Sequence, residues 1–232
     1  MTEKAFVRAR RPEHKRQRRE ALLAAARELA VTSGVRNVSL GGVAAAVGLA
    51  KSNVARYFGT REEIYLEIAT EEWRDWEAAV TERLRDAAGP RDVVAALAET
   101  LAERPLLCDM LGQMSTSLEH NVSVGSARVF KRAVLGVVAR LGARVAEAHP
   151  GLTEAEGVEL VAAGSVFAGA LYPVSNPPAA LAELYRQDPD IAAACPPFLP
   201  TLTRTLAAFA AGLPLMREGG YGGPSLGATH PL

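Results

Sequence analysis

The chain has 232 residues, 49% of them apolar and 22% charged, which supports a packed core and excludes disorder throughout. Basic and acidic residues balance at 26 each, so total charge gives no hint of a nucleic-acid partner, but its distribution does. Residues 1–61 carry thirteen Lys/Arg against four Asp/Glu, a surplus of nine, and residues 62–232 carry thirteen against twenty-two, a deficit of nine. A basic head on an acidic body is a footprint for a polyanion at one end only.

Residues 1–11 read as a flexible basic arm with Lys4, Arg8, Arg10 and Arg11, and Pro12 suits the first position of a helix. No apolar signal core follows the arm, so export is not expected. From Glu13 to Ser33 helix formers dominate, with Leu22, Ala25, Ala26, Leu29 and Ala30 on one face, and Gly34 supplies the stop. Ser39 is a natural N-cap for a short helix carrying Leu40, Val43, Ala44 and Val47 at helical spacing, and Gly48 ends it. A third helix is predicted over 51–58. Thr60 and Glu63 form a capping box that opens a long fourth helix to about Ala87.

Beyond Gly89-Pro90 the predicted helices are 91–104, 105–117, 124–148, 153–175, 179–187 and 197–212, separated by Pro105, Pro150-Gly151 and Pro177-Pro178. No stretch alternates with a period of two, so the fold is expected to be all-α. The expected domains are a DNA-binding head over 12–60, with its helix-turn-helix at about 39–58, and a helical body over 61–213. A disordered tail is expected over 214–232, where the last sixteen residues hold five glycines and two prolines. The apolar stretch Leu160–Val174 falls short of the roughly 20 residues a membrane span needs, so no membrane partner is expected. Cys108 and Cys195 are far apart and outside any C-x-x-C pattern. They suggest no disulfide framework, no metal and no cofactor, and they suit a cytoplasmic, nucleoid-associated protein.

The informative piece is SLGGVAAAVGLAKSNVARYFGTREEI, residues 39–64. Two short helices flank Gly48-Leu49-Ala50, a turn in which glycine relieves the backbone. Counting 100° per residue, Val54 and Phe58 point to the core while Ser52 and Arg56 point away, flanked by Asn53 and Ala55, with Tyr57 at the boundary. A helix with a small, polar, cationic outer face fits a major groove, where Asn pairs with adenine and Arg with guanine. Asn53 and Arg56 are the expected base readers. Lys51, Ser52 and Tyr57 are expected on phosphates, with Ser39 and Arg61 at the margins and the arm adding non-specific attraction. The same pattern also suits a small-residue helical hairpin with a solvated charged face.

Residues 15–65 resemble the N-terminal domain of the tetracycline-repressor (TetR) family. The matching positions are Gly34, Ser39, Val43-Ala44, Gly48, Lys51, Tyr57-Phe58 and Thr60-Arg61-Glu62, spread over about a fifth of the chain. Three positions depart from the family pattern. Gly41-Gly42 stands where polar helix formers are usual, Ala50 where a Ser or Thr N-cap is common, and Ala55 where a tyrosine often contacts phosphate. The resemblance implies a homodimeric transcriptional regulator, a repressor released from a palindromic double-stranded operator by a small-molecule effector.

The resemblance also implies a body that pairs two chains and encloses that effector. Small residues Ala163, Gly164 and Ala168 with Phe167, Leu171 and Tyr172 on one helix, and Phe198, Leu202, Leu206 and Phe209 on another, are the predicted dimer interface. The same faces could instead close the monomer's own core. Cys108, Met110, Met114, Phe130 and Phe167, with Gln113, His120 and Asn121 as polar anchors, are the predicted ligand pocket, although this spacing also suits plain core. The histidines are scattered, with no H-E-x-x-H, nucleophile elbow or phosphate-cradling loop, so catalysis is not expected. The remaining alternative is an architectural or constitutive DNA-binding protein without ligand input.

Overall fold

The computed structural model describes residues 3–219, with side chains from Glu13 onward. Every regular element among them is helical. The first helix, α1 (Glu3–Ser33), begins ahead of Pro12, through backbone positions assigned to the arm. The side chains of Arg8, Arg10 and Arg11 lie outside the described ones. Gly34 ends α1 with φ +82°, a left-handed conformation that glycine alone adopts without strain. A single 3₁₀ turn, Val35–Asn37, follows. Next come α2 (Leu40–Ala46) and α3 (Lys51–Val54). Leu22, Ala26 and Ala30 of α1 are buried with Val43, Ala44, Val54 and Phe58 as the head's share of a hydrophobic core that continues into the body.

Helix α4 (Arg61–Leu84) joins head to body. Its first half buries Ile64, Tyr65 and Ile68, and its second half buries Trp73, Trp76 and Val80. The tryptophans meet edge to face at 5.3 Å, and Trp76 Nε1 donates to Thr100 Oγ1 at 2.9 Å, so α4 is fixed to the body by area and by a satisfied polar tip. Arg19 pairs with Glu67, and Arg27 with both Glu71 and Glu72, which locks α1 along the same helix.

The body continues with α5 (Pro90–Ala102), α6 (Pro105–Gln113) and a π-helical turn, Met114–Leu118. It then runs through α7 (Val124–Ala148), α8 (Glu154–Ser175), α9 (Ala179–Gln187), α10 (Pro189–Ala192) and α11 (Phe198–Glu218). Helix α11 runs through Pro214 to Glu218, so the start of the predicted tail is ordered, and positions 220–232 lie outside the described residues. Helices α4 and α7 lie side by side in the same direction: Glu63 meets Ser126 near their starts and Glu77 meets Arg140 fourteen residues further along both.

Helix α8 is the central rod, packed against α6, α7 and α11. Glycines permit the two closest crossings. A Cβ on Gly157 would stand 2.2 Å from Gly142 O, and one on Gly112 would stand 2.7 Å from Gly169 O, so backbone touches backbone. Helices α8 and α11 have the length and composition of membrane spans, longer than the Leu160–Val174 stretch suggested. In this fold α8 is a core helix, and α11 covers α5 and α8 with one face.

Candidate nucleic-acid interface

Ser39 Oγ accepts from Gly42 N at 3.0 Å, and this cap starts α2 despite its two glycines. The hydroxyl proton of Ser39 stays free to donate outward. Gly48, at φ +67°, turns the chain after α2, with Leu49 N donating to Ala44 O at 2.8 Å. Ala50 stands at the N-cap of α3 and offers no side-chain hydrogen bond, as its lack of a hydroxyl requires. The amides at that helix start therefore face solvent chemistry or a phosphate.

The predicted rod over 51–58 is shorter as a helix. One α-turn ends at Val54, and tight turns, with Tyr57 N and Phe58 N donating to Val54 O at 2.8 and 3.0 Å, carry the chain onward. Val54 (0% exposed) and Phe58 (3%) anchor the segment in the head core. Lys51, Ser52, Asn53, Ala55 and Arg56 are exposed and Tyr57 is half-buried, so the inward and outward sides fall where the sequence placed them.

Arg61 differs from its predicted role. Its guanidinium donates to Val35 O, pairs with Glu62 at 3.0 Å and lies 5.2 Å from the Tyr65 ring centre, leaving only 15% of the side chain exposed. These contacts spend its charge inside the head–body junction and make Arg61 a strut. Sequence reading missed a set of basic residues instead. His14, Lys15 and Arg18 of α1 line one cleft with Arg56 and Tyr57, so the basic surface continues from α3 onto α1. The signal was available: residues 14, 15 and 18 lie one to three turns ahead of Leu22 and Ala26 on the same face of α1, so they carry that face beyond the core as a basic surface.

The junction holds three polar ties. Asp109 of α6 accepts from Val35 N at 2.8 Å, Arg61 of α4 donates to Val35 O, and Glu63 accepts from Gly59 N at 2.9 Å. The Glu63 carboxylate also accepts from Ser123 N at 3.2 Å and from the Ser126 hydroxyl at 2.9 Å, so it sits on the start of α7 as well. The predicted capping box is therefore half present. Thr60 Oγ caps Glu63 N at 3.2 Å, while the carboxylate bridges to Gly59 and α7. Burial alone would raise the Glu63 pKa, but these donors outweigh it and bring it down to about 2.

The predicted ligand-pocket residues do not share one cavity. Cys108 and Met110 (0% exposed) and Phe130 (3%) are core, and burial pushes the Cys108 thiol up to about 12. Met114 packs on the core from the π turn, while His120 and Asn121 are exposed, with His120 Nε2 2.8 Å from Ser115 O. Gln113 donates to Asp109 Oδ1 at 2.7 Å and lines an open groove of about 890 Å³ between the end of α1, α6 and the end of α8.

The predicted dimer residues are mostly spent within one chain. Gly164, Ala168, Leu202 and Leu206 are buried in the α8–α11 seam, and Phe167 pairs edge to face with Phe209 at 6.2 Å. Tyr172 does the same with Phe198 at 5.9 Å, while Ala163 and Leu171 are half-buried beside them. The apolar side left open lies round the helices, at Val166 (67% exposed) and Ala170 of α8 and at Ala208 and Leu215 (66%) of α11.

A capped short helix, a glycine turn and an outward cationic turn on a small head, carried by a long lever into a helical body, define a helix-turn-helix transcriptional regulator. Family comparison gives this class its particular member. The "Bacterial regulatory proteins, tetR family" domain matches residues 22–68, and the "Tetracyclin repressor-like, C-terminal domain" matches residues 70–217. The chain belongs to the TetR family of DNA-binding transcriptional regulators. No curated protein matches it.

Proposed function

We propose that the protein is a homodimeric repressor that reads a palindromic operator through α3 and leaves it when the body takes up a small molecule. The observation that carries the reading is the outward set Lys51, Ser52, Asn53 and Arg56 continuing into the His14–Lys15–Arg18 face of α1. Asn53 and Arg56 reach base edges, while Lys51, Ser52, Tyr57, Lys15 and Arg18 hold phosphates, with Ser39 at the margin. Ala55 gives clearance rather than a contact.

The dimer forms through the open apolar face of α8 and α11, which sets two heads roughly 34–36 Å apart for successive major grooves. The switch works through the three ties at the head–body junction. An effector that favours a body conformation in which Asp109 and Glu63 no longer hold the head shifts the population away from DNA by its differential affinity. Catalysis has no part in this reading.

Selection of bound fragments from random DNA by the purified chain tests the proposal. A palindromic consensus is expected. Enrichment of no sequence, together with a steep salt slope and equal affinity for all fragments, would identify an architectural DNA protein instead.

A further inference from the structure

We infer that a pocket at the end of the body remote from the head binds a small amphipathic carboxylate, with His149 and Arg91 receiving its acid group. Helices α4 and α7 both start at the junction. His149, which caps the end of 25-residue α7, therefore lies a full helix length from it, about 37 Å. Here α5 begins, α7 ends and α11 crosses, leaving an open pocket of about 480 Å³. Its walls include Pro90, Val94, Ala207 and Ala210, and its polar side chains include Arg91 and His149. Small-molecule sites commonly fall between about 300 and 1,000 Å³ and are mostly apolar with a few convergent polar groups.

His149 is the least exposed of the polar side chains that line this pocket. It is only 8% exposed, and its Nδ1 is buried without a hydrogen-bond partner. The Cε1–Nδ1 edge faces Gly151, where an added Cβ would lie 3.2 and 3.4 Å from those two atoms. With that edge turned to Gly151, Nε2 is the ring nitrogen left to meet an occupant. An imidazole nitrogen in that place can hydrogen-bond a carboxylate held in the pocket. Arg91 is exposed, forms no ion pair among the described residues, and supplies a cation at the same pocket. The positive end of α5, which starts at Pro90, adds to it. An imidazole, a cation and a helix start around one pocket with apolar walls match the two ends of a carboxylate with a hydrocarbon body.

The inference deepens the ligand-responsive reading and rests on it only for the effect on DNA. Helix α5 holds α4 through Thr100 and Trp76, so an occupant that moves α5 against α11 acts on the lever.

Calorimetric titration of the purified full chain with butyrate, octanoate and dodecanoate, and with octanamide as the uncharged counterpart, tests the site. Saturable binding of at least one acid, one per chain, is expected. Arg91→Gln should weaken octanoate about tenfold and leave octanamide within about twofold, as loss of a charge-assisted contact requires. His149→Phe should weaken both. Ala207→Trp, at an exposed rim position that leaves the core intact, should abolish both by filling the pocket. Saturation by none of the acids, or wild-type binding by Ala207→Trp, overturns the site. Operator affinity is measured separately, by anisotropy on the selected fragment. Acid binding that leaves it unchanged upholds the site and removes ligand release by this route.

Discussion

The side chains on α3 divide by what holds them. Val54 and Phe58 are fixed by packing, so the backbone presents Arg56 and Asn53 outward in a set orientation. Lys51 sits at the uncapped start of the helix, and in the proposed complex its charge meets phosphate whatever the base. Arg56→Ala should therefore cost about 1–3 kcal/mol of operator affinity and narrow the gap between operator and random DNA. Lys51→Ala should weaken both alike and lower the salt slope by about one phosphate's share, near 0.9. Anisotropy on operator and scrambled duplexes separates the two, and an unchanged ratio for Arg56→Ala would remove it from base reading. Arg61 illustrates what sequence could not assign. An arginine beside a basic motif looks free until the fold brings Val35 O and the Tyr65 ring beside it.

Glu63 carries a prediction of its own at this scale. Its carboxylate is held as the anion at about 2 by donors on Gly59, Ser123 and Ser126. A folded pKa below the ordinary value of 4.5 gives stabilisation that is complete above pH 4.5 and is lost as pH falls towards 2. Glu63→Gln should lower stability at neutral pH and flatten the fall in melting temperature over that window. Identical acid profiles for the variant and the wild type would show that the tie contributes nothing to folding. Its spacing from Thr60 was legible in the sequence as a cap; its reach to α7 was not, because a partner sixty residues away leaves no local pattern.

Helix positions were largely readable because Pro, Gly and hydroxyl residues punctuate the chain: Ser39, Thr60, Ser123 and Thr153 all cap helices. Packing partners were not readable. The small residues of α8 suit a close crossing with any helix, in the same chain or in a partner. Only the fold assigns Gly157 to Gly142, and Gly169 to Gly112. The burial of Gly164, Ala168, Leu202 and Leu206 within one chain has the same cause, since an apolar stripe does not say which apolar stripe it meets. Gly157→Ala places a methyl group 2.2 Å from a backbone oxygen that no rotamer change relieves. It should cost about 3 kcal/mol or more through separation of α7 from α8. Gly125→Ala, whose added Cβ meets only the Ser123 hydroxyl at 3.9 Å, serves as the control. Equal denaturant midpoints for the two variants would mean that the crossing is looser than the backbone positions require.

At the scale of the whole molecule, the faces left uncovered decide how two chains meet. Helices α8 and α11 bury one side within the chain and leave Val166, Ala170, Ala208 and Leu215 open. Helix α7 presents a rival face at Val129 (68% exposed) and Leu135 (66%), but Arg128, Lys131 and Arg132 lie among them. The α8–α11 face carries one cation beside Ala208, Arg204, against three on α7, and charges at the centre of a buried patch are costly unless paired, so the α8–α11 face is the better surface for self-association. A two-fold interface meets itself, and one substitution therefore enters it twice. Val166→Glu should leave the exposed side of α8 folded and put two carboxylates into the interface. Sedimentation at micromolar concentration should move from twice 24.5 kDa to 24.5 kDa. Operator affinity should fall by about a hundredfold or more, because each head then binds without the other held nearby. The corresponding charge at Leu135 should change neither quantity. A Val166→Glu chain that still sediments as a dimer, beside a Leu135→Glu chain that does not, would move the interface to α7.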